Sequence, residues 1–499
     1  MKKMLRCSVL GSLFSLLMIS CGGNNKSGLA PDPTLPVKPT SGDVTVYTTT
    51  ADREVEFVKT AFDFAEGTNM SPNTIRLDEA VSYQTMDGFG AAITGSTAYN
   101  LLKMKTEDRK KFLQETFSTN EGMGYSYIRI AIGCSDFSLS EYTLNDKPGI
   151  ENFALQEEET KYVIPVLKEI LAINPDIKIL GSPWTAPKWM KVKDLKSLAP
   201  YDSWTGGHLN PKYYQDYAQY FVNWIMALRK EQIEIYGITP QNEPLNPLNS
   251  ASMLMYWTEQ RDFVRDALGP KLKDAGFDTK IYAFDHNYNY DNLPEQQDYP
   301  VKIYADQQAA AFFAGSAYHN YGGDKNELND IQRKAPEKEI IFTETSIGTW
   351  NNGQDLMHRL VDDMKEVALG TVNNWSKAVI VWNLMLDSER GPYREGGCKT
   401  CYGAVDLHSG DYRTITKNSH YFIIGHLSAV VQPGAVRIGT EGEVFEGVVL
   451  SAFQNPDHTY AVVLANDNVK SVKLTLADSN NHFTVEVPSK SVVSYRWKK

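Results

Sequence analysis

Two glutamates carry the chemistry that this chain offers most clearly. Glu243 stands in Ile238-Thr239-Pro240-Gln241-Asn242-Glu243-Pro244, and Glu344 in Ile341-Phe342-Thr343-Glu344-Thr345-Ser346. Each is a carboxylate carried out of a short apolar run. One such Glu is ordinarily a solvated loop residue, but a matched pair has a use. Cleaving a glycosidic bond with retention takes two carboxyl groups. One is protonated and assists the leaving oxygen, and the other is ionised and attacks the anomeric carbon. At about 5–5.5 Å apart, the pair works through a covalent glycosyl-enzyme. Like charges that close raise one of the two pKa values, which keeps the acid protonated near neutrality. Asn242, beside Glu243, is suited to hydrogen-bond a sugar 2-hydroxyl.

Other reactive residue types offer less. His286, in Asp285-His286-Asn287, and His319, in Tyr318-His319-Asn320-Tyr321, lie near strand ends and face one mouth. Two histidines suggest a metal, but no third ligand stands at metal spacing, so no metal and no cofactor is expected. Cys398 and Cys401 form a C-x-x-C without a second such pair or a zinc-spaced His pair, so they read as a local disulfide or as two free thiols. If Cys7 is removed with a signal peptide and Cys21 is lipidated, Cys134 is the remaining cysteine beside this pair. The loop aromatics Trp189, Tyr201, Trp204 and Trp350 are either stacking platforms for sugars or ordinary loop packing.

The elements that must position these residues alternate. Eight short apolar runs read as strands: Thr85–Ile93, Tyr125–Gly133, Ile177–Trp184, Ile235–Glu243, Lys280–His286, Ala314–Tyr321, Glu339–Thr345 and Ala378–Leu386. Helical stretches fall between them, at 106–118, 159–173, 252–275, 300–313 and 354–369, with a last one near 415–430. Another begins at Asn210-Pro211, a cap residue followed by proline, and runs through Tyr213–Lys230. Eight βα units imply a closed (β/α)8 barrel, with function at the strands' C-terminal ends. An open doubly wound sheet is the competitor, weakened because no Gly-x-Gly-x-x-Gly follows the first strand. Period-two alternation in 446–497, and again in 44–80, reads as antiparallel strands. These imply one β-sandwich built from both chain ends. The expected boundaries are 44–80 for its N-terminal strands, 81–430 for the barrel and 431–499 for its C-terminal part.

The N-terminus reads as an address. Lys2, Lys3 and Arg6 precede an apolar run, Val9 to Ile19, that is too short to span a membrane. It ends Leu-Met-Ile-Ser-Cys, with Cys21 before Gly22-Gly23, which resembles a bacterial lipoprotein signal. The expectation is a signal peptide over 1–20, lipidation at Cys21 and a flexible tether over 21–43. The product would be an exported lipoprotein, anchored to the outer membrane on its periplasmic or cell-surface side. Over its 499 residues the chain carries 50 Lys and Arg against 61 Asp and Glu, a formal net charge of −11. With no basic run, it is not expected to bind nucleic acid.

The motifs together resemble glycoside hydrolase family 30, the family of lysosomal-type glucosylceramidases and microbial β-1,6-glucanases. Asn242-Glu243-Pro244 and Phe342-Thr343-Glu344-Thr345 are similar to its acid/base and nucleophile motifs. Asp87-Gly88-Phe89-Gly90-Ala91-Ala92, Arg129 to Ser138, Gly181 to Pro187, Trp382-Asn383-Leu384 and Ser491 to Trp497 are similar to further signatures along nearly the whole mature chain. The resemblance implies Glu243 as general acid/base and Glu344 as nucleophile. It implies that Asp136, Trp184, Asn242, His319, Tyr321 and Trp382 contact the sugar, and that Arg129 and Tyr321 support the nucleophile. It also implies a β-glucan or other β-glucoside as substrate, with endo-cleavage of β-1,6-linked glucan favoured. Glucosylceramidase or exo-β-glucosidase action is the alternative. A non-catalytic glycan-binding lipoprotein is the reading from another class, and it would be expected to have lost one of the two glutamates.

Overall fold

The eight apolar runs close into a ring of parallel strands. The computed structural model describes residues 41–64, 71–288 and 293–499. The signal peptide, Cys21 and nearly all of the expected tether lie outside these residues. The ring consists of β1 (Gly88–Ala92), β2 (Tyr127–Ala131), β3 (Lys178–Ser182), β4 (Gly237–Ile238), β5 (Lys280–Asn287), β6 (Phe313–His319), β7 (Glu339–Glu344) and β8 (Ala378–Val381). β1 pairs with β2 on one side and with β8 on the other, which closes the barrel and excludes an open sheet. Gly90 permits this closure, because a Cβ there would come within 1.7 Å of the Tyr127 carbonyl oxygen.

The helices show why the strands stay buried. Helix Tyr214–Lys230 turns Tyr217, Tyr220, Phe221, Trp224 and Leu228 inward, at the three- and four-residue spacing of one helix face. Asn210 caps the preceding 3₁₀ turn, accepting the Lys212 N–H at 3.1 Å, with Pro211 in that turn. The 300–313 stretch divides into Tyr299–Tyr304 and Gln307–Ala310, because Asp306 caps a second start. Two helices escape the pattern reading. Gly95–Lys103 opens on Gly-Ser-Thr, and Glu327–Lys334 buries only Leu328 and Ile331. No described helix is long and apolar enough to cross a membrane.

The β-sandwich is assembled from both ends, as the alternation implied. Strand Val44–Thr50 lies between Val58–Phe62 and the C-terminal strand Ser491–Lys498, with Val44 opposite Trp497 and Val46 opposite Tyr495. Nine strands form one sheet, with Val58–Phe62 at one edge and His482–Val487 at the other. The Phe62 and Phe483 rings nevertheless stand 5.4 Å apart, so the sheet folds back on itself around Tyr460, Leu474, Phe483 and Trp497. Strand Thr74–Thr85 carries this sheet as far as Thr85, and the first barrel strand starts later than its apolar run suggested. Helix Ser419–Ser428 packs between the barrel and this sheet. His426 bridges Ser494 Oγ at 2.8 Å and Thr49 Oγ1 at 2.9 Å, and burial lowers its pKa to about 3, so it stays neutral.

Of the two readings for the C-x-x-C pair, the disulfide is the one present: Cys398 and Cys401 are bonded. Cys134 is a buried free thiol, pushed up to about 12 by burial.

Candidate active site

The C-terminal ends of β2 to β8 converge on a buried network of charges. Arg129, on β2, is fully buried. Its Nη1 donates to Glu344 Oε2 at 2.5 Å. Its Nη2 donates to Asn242 Oδ1 at 2.7 Å and to Asp285 Oδ2 at 2.8 Å. Tyr321, just past β6, donates its hydroxyl to the other Glu344 oxygen at 3.1 Å. Glu344 is thus held at both oxygens. Burial and the nearby Glu243 push its carboxyl up; His319 and Arg129 offset this only in part, and the net direction is up. A guanidinium has only donors, so it meets the ionised form.

Glu243 is held differently. Its Oε2 accepts from Asn246 Nδ2 at 2.8 Å, and its Oε1 lies 3.3 Å from His319 Nδ1. The other nitrogen of His319 lies 3.1 Å from Asp285 Oδ1. Burial opposes charge on His319, but Glu344, Asp285 and Glu243 around it raise its pKa to about 9. Burial raises the Glu243 carboxyl, but His319, His286 and Asn246 together outweigh it and the net direction is down. His319 and Glu243 therefore hold one proton between them. Moving it from Nδ1 to Oε1 leaves the charge of the pair unchanged.

Asp285 is the organiser that sequence reading passed over. Besides Arg129 and His319 it accepts from Thr239 Oγ1 at 2.6 Å, Thr343 Oγ1 at 2.7 Å and Ser182 Oγ at 3.1 Å. Burial works against its charge, but Arg129 and His319 hold the carboxyl far below the usual range. A bulge puts it there. The β5–β6 register shifts between Phe284 and His286, and Phe284 and Asp285 take φ of 75° and 63°. The Asp285 carbonyl then accepts the backbone N–H of Glu243 at 2.9 Å, and Glu243 itself has φ 44°. Phe284, Asp285 and Glu243, all non-glycine residues at positive φ, store strain at the site. The only sequence signal was a carboxylate within the apolar run Ile281-Tyr282-Ala283-Phe284-Asp285-His286.

Beside the two glutamates lie polar atoms that no described residue satisfies. Asp136 Oδ1, Trp184 Nε1 and Asn383 Nδ2 are buried without a hydrogen-bond partner among the described residues. Burial, with Glu344 and Glu243 nearby, raises the Asp136 pKa to about 8. Trp184 and Trp382 stack at 5.2 Å, and the Arg129 guanidinium lies 5.0 and 5.3 Å from their ring centres. Stacked indoles beside buried donors and acceptors that lack protein partners suit a ligand rich in hydroxyls.

The expectation that no third ligand joins the histidines is corrected. His286, His319 and Glu243 each place a donor atom within 4.8 Å of the others. Strand neighbourhood across the barrel brings them together, and spacing along the chain gives no sign of it. Both nitrogens of His319 already face carboxylates in this arrangement.

Two further residues shape the rim. Lys191 Nζ is buried and donates to Thr185 Oγ1, Ser203 O and Ser252 O at 3.0, 2.9 and 3.0 Å, which ties the loop carrying Trp184 to the loop after β4. Arg394 donates to Ser135 O at 2.8 Å and Ser250 Oγ at 3.0 Å and pairs with Glu141 at 2.9 Å, bracing the Asp136 loop.

Residues 86–431 match the TIM-barrel domain of glycosyl hydrolase family 30, and residues 434–495 match its β-sandwich domain. An endo-1,6-β-D-glucanase of Trichoderma harzianum is 32% identical over 436 residues, covering 83% of this chain and 84% of the relative. The mouse (Mus musculus) lysosomal acid glucosylceramidase is 28% identical over 459 residues, covering 85% and 83% respectively. A solved structure of an endo-β1,6-glucanase superposes with a TM-score of 0.91 at 63% identity, covering 92% of this chain and all of the other. With barrel, sandwich and both glutamate motifs in place, the chain belongs to glycosyl hydrolase family 30 and is a glycoside hydrolase.

Proposed function

We propose that the protein is a retaining endo-β-1,6-glucanase, with Glu344 as nucleophile and Glu243 as general acid/base. The observation that carries the roles is the contrast between the two carboxylates. Glu344 accepts from Arg129 and Tyr321 at its two oxygens, which aims it and favours its ionised form. Glu243 shares a proton with His319, so it can deliver one to the leaving oxygen and take one back from water. In the first step Glu344 Oε attacks the anomeric carbon as Glu243 protonates the departing oxygen. In the second, Glu243 removes a proton from the incoming water and the glycosyl–Glu344 bond breaks. Asp136, Trp184, Asn242, His319, Tyr321 and Trp382 surround the reacting sugar in this reading. The substrate is supported by the 63% identity to an endo-β1,6-glucanase. Glucosylceramide cleavage is the second reading, favoured by the mouse relative.

The test is product length over time. Mixed oligosaccharides released early from a β-1,6-glucan are the expected result. Glucose alone from the first minutes, or cleavage of glucosylceramide with the glucan intact, would overturn the endo-glucanase reading. We also propose lipidation at Cys21 and anchorage to the outer membrane, which would hold the enzyme where it meets polysaccharide. A Cys21→Ala variant should lose lipid labelling, and retained labelling would refute the anchor.

A further inference from the structure

Trp350, in the loop after β7, is 54% exposed. Its indole rests on Gly348, where a Cβ would come within 1.9 Å of the ring. The Gly348 backbone is extended, with φ −167°, a conformation open to any residue, so the indole alone demands glycine there. The ring thus lies close against the Gly348 backbone while more than half of the residue stays exposed.

The segment under the ring is fastened to the disulfide loop. Gly348 pairs with Cys401 and Ile347 with Tyr402, and the Thr349 N–H donates to the Thr400 carbonyl at 2.9 Å. Cys401 is in turn bonded to Cys398. Beside the ring lies a cavity of about 280 Å³, walled by Trp350, Tyr321, Ser346, Asn320, Asn351 and Asp362. Tyr321 belongs both to this cavity and to the nucleophile, since its hydroxyl reaches Glu344 at 3.1 Å and Ser346 Oγ at 3.2 Å. The cavity therefore adjoins the reacting centre. An aromatic side chain with amide, hydroxyl, carboxylate and, from Arg359, guanidinium walls matches a hexopyranose, which is apolar on its C–H face and polar at its edge.

We propose that Trp350 and this cavity form a glucosyl-binding subsite outside the reacting one, and that the Cys398–Cys401 disulfide holds its platform in place. The inference rests on the glucan reading above. The experiment compares kcat/KM on a β-1,6-linked glucotetraose with kcat/KM on an aryl β-glucoside, which has no sugar to place in a second subsite. Trp350→Ala should lower this ratio roughly tenfold. Trp350→Phe should restore most of it, and the Cys398→Ser/Cys401→Ser double variant should move it in the same direction as Trp350→Ala. Wild-type protein that leaves the tetraose intact overturns both the glucan reading and the subsite. If the wild type cleaves the tetraose but Trp350→Ala keeps the wild-type ratio, the subsite alone is overturned. A reduced ratio in Trp350→Ala beside a wild-type ratio in the double cysteine variant removes the role of the disulfide.

Discussion

Asp285→Asn tests whether one buried carboxylate organises both catalytic glutamates. The amide keeps the shape and loses the charge. It also turns an NH₂ toward a site whose neighbours, Arg129, His319, Thr239, Thr343 and Ser182, are all placed to donate. Removing one partner from a buried ion pair costs about 3–5 kcal/mol, so the melting temperature should drop. Arg129 also aims Glu344, and a misplacement of about 1 Å lowers turnover on the order of 100-fold. The pH dependence gives an independent reading. His319 has its folded-state pKa raised from 6.5 to about 9, against burial, by Glu344, Asp285 and Glu243. A raised His contributes stability that is complete below about pH 6.5 and lost as pH climbs through 9. That interval corresponds to about 3 kcal/mol. Without the charge on Asp285, His319 releases its proton at lower pH, so the alkaline loss still begins near pH 6.5 but should end earlier and be smaller. Asp136, at about 8, and Lys191, lowered by burial to about 7, also titrate in this range. They are present in both proteins, so the difference between the two curves isolates His319. Calorimetric melting across neutral to alkaline pH, with turnover of an aryl β-glucoside, measures both effects. Parallel melting curves together with near wild-type turnover would refute the reasoning.

Glu344→Gln should abolish turnover of every substrate, because no other carboxylate is aimed by Arg129 and Tyr321 to form the intermediate. Glu243→Ala should slow glycosylation far less for an aryl glycoside with a good leaving group than for a glucan. Equal losses on the two substrates, measured by burst kinetics, would undo the role assignment. Proton NMR of the earliest product should show the β-anomer, and an α-anomer would mean inversion. In the sandwich, Phe483→Ala removes the ring that contacts Phe62, Tyr495 and Trp497 across the folded sheet. It should lower stability by about 3–5 kcal/mol in chemical denaturation.

Much of this architecture is legible in the sequence, for local reasons. A barrel strand is a short apolar run with turn residues at each end, and all eight announce themselves that way. Helix Tyr214–Lys230 is legible because its cap, its proline and its apolar face agree. Helix Glu327–Lys334 is not, because only two of its residues face the core. Glu243 and Glu344 are legible because each ends an apolar run inside a distinctive motif.

What the sequence conceals is the state of each acid. Asp136 and Asp285 are both aspartates near barrel strand ends, and nothing in their neighbours along the chain separates them. In the folded protein they stand at opposite extremes. Asp136 has an oxygen without a partner and lies near two other carboxylates, so its pKa rises to about 8. Asp285 lies against a guanidinium, an imidazole and three hydroxyls, so it remains a carboxylate throughout. Those partners come from four different strands and from the residue just after β4, and a bulge in β5 turns Asp285 toward them. The side chains that could do the chemistry are written locally. Which of them carries a proton is decided by contacts from across the barrel, and the assignment of acid, nucleophile and sugar ligand depends on that distribution.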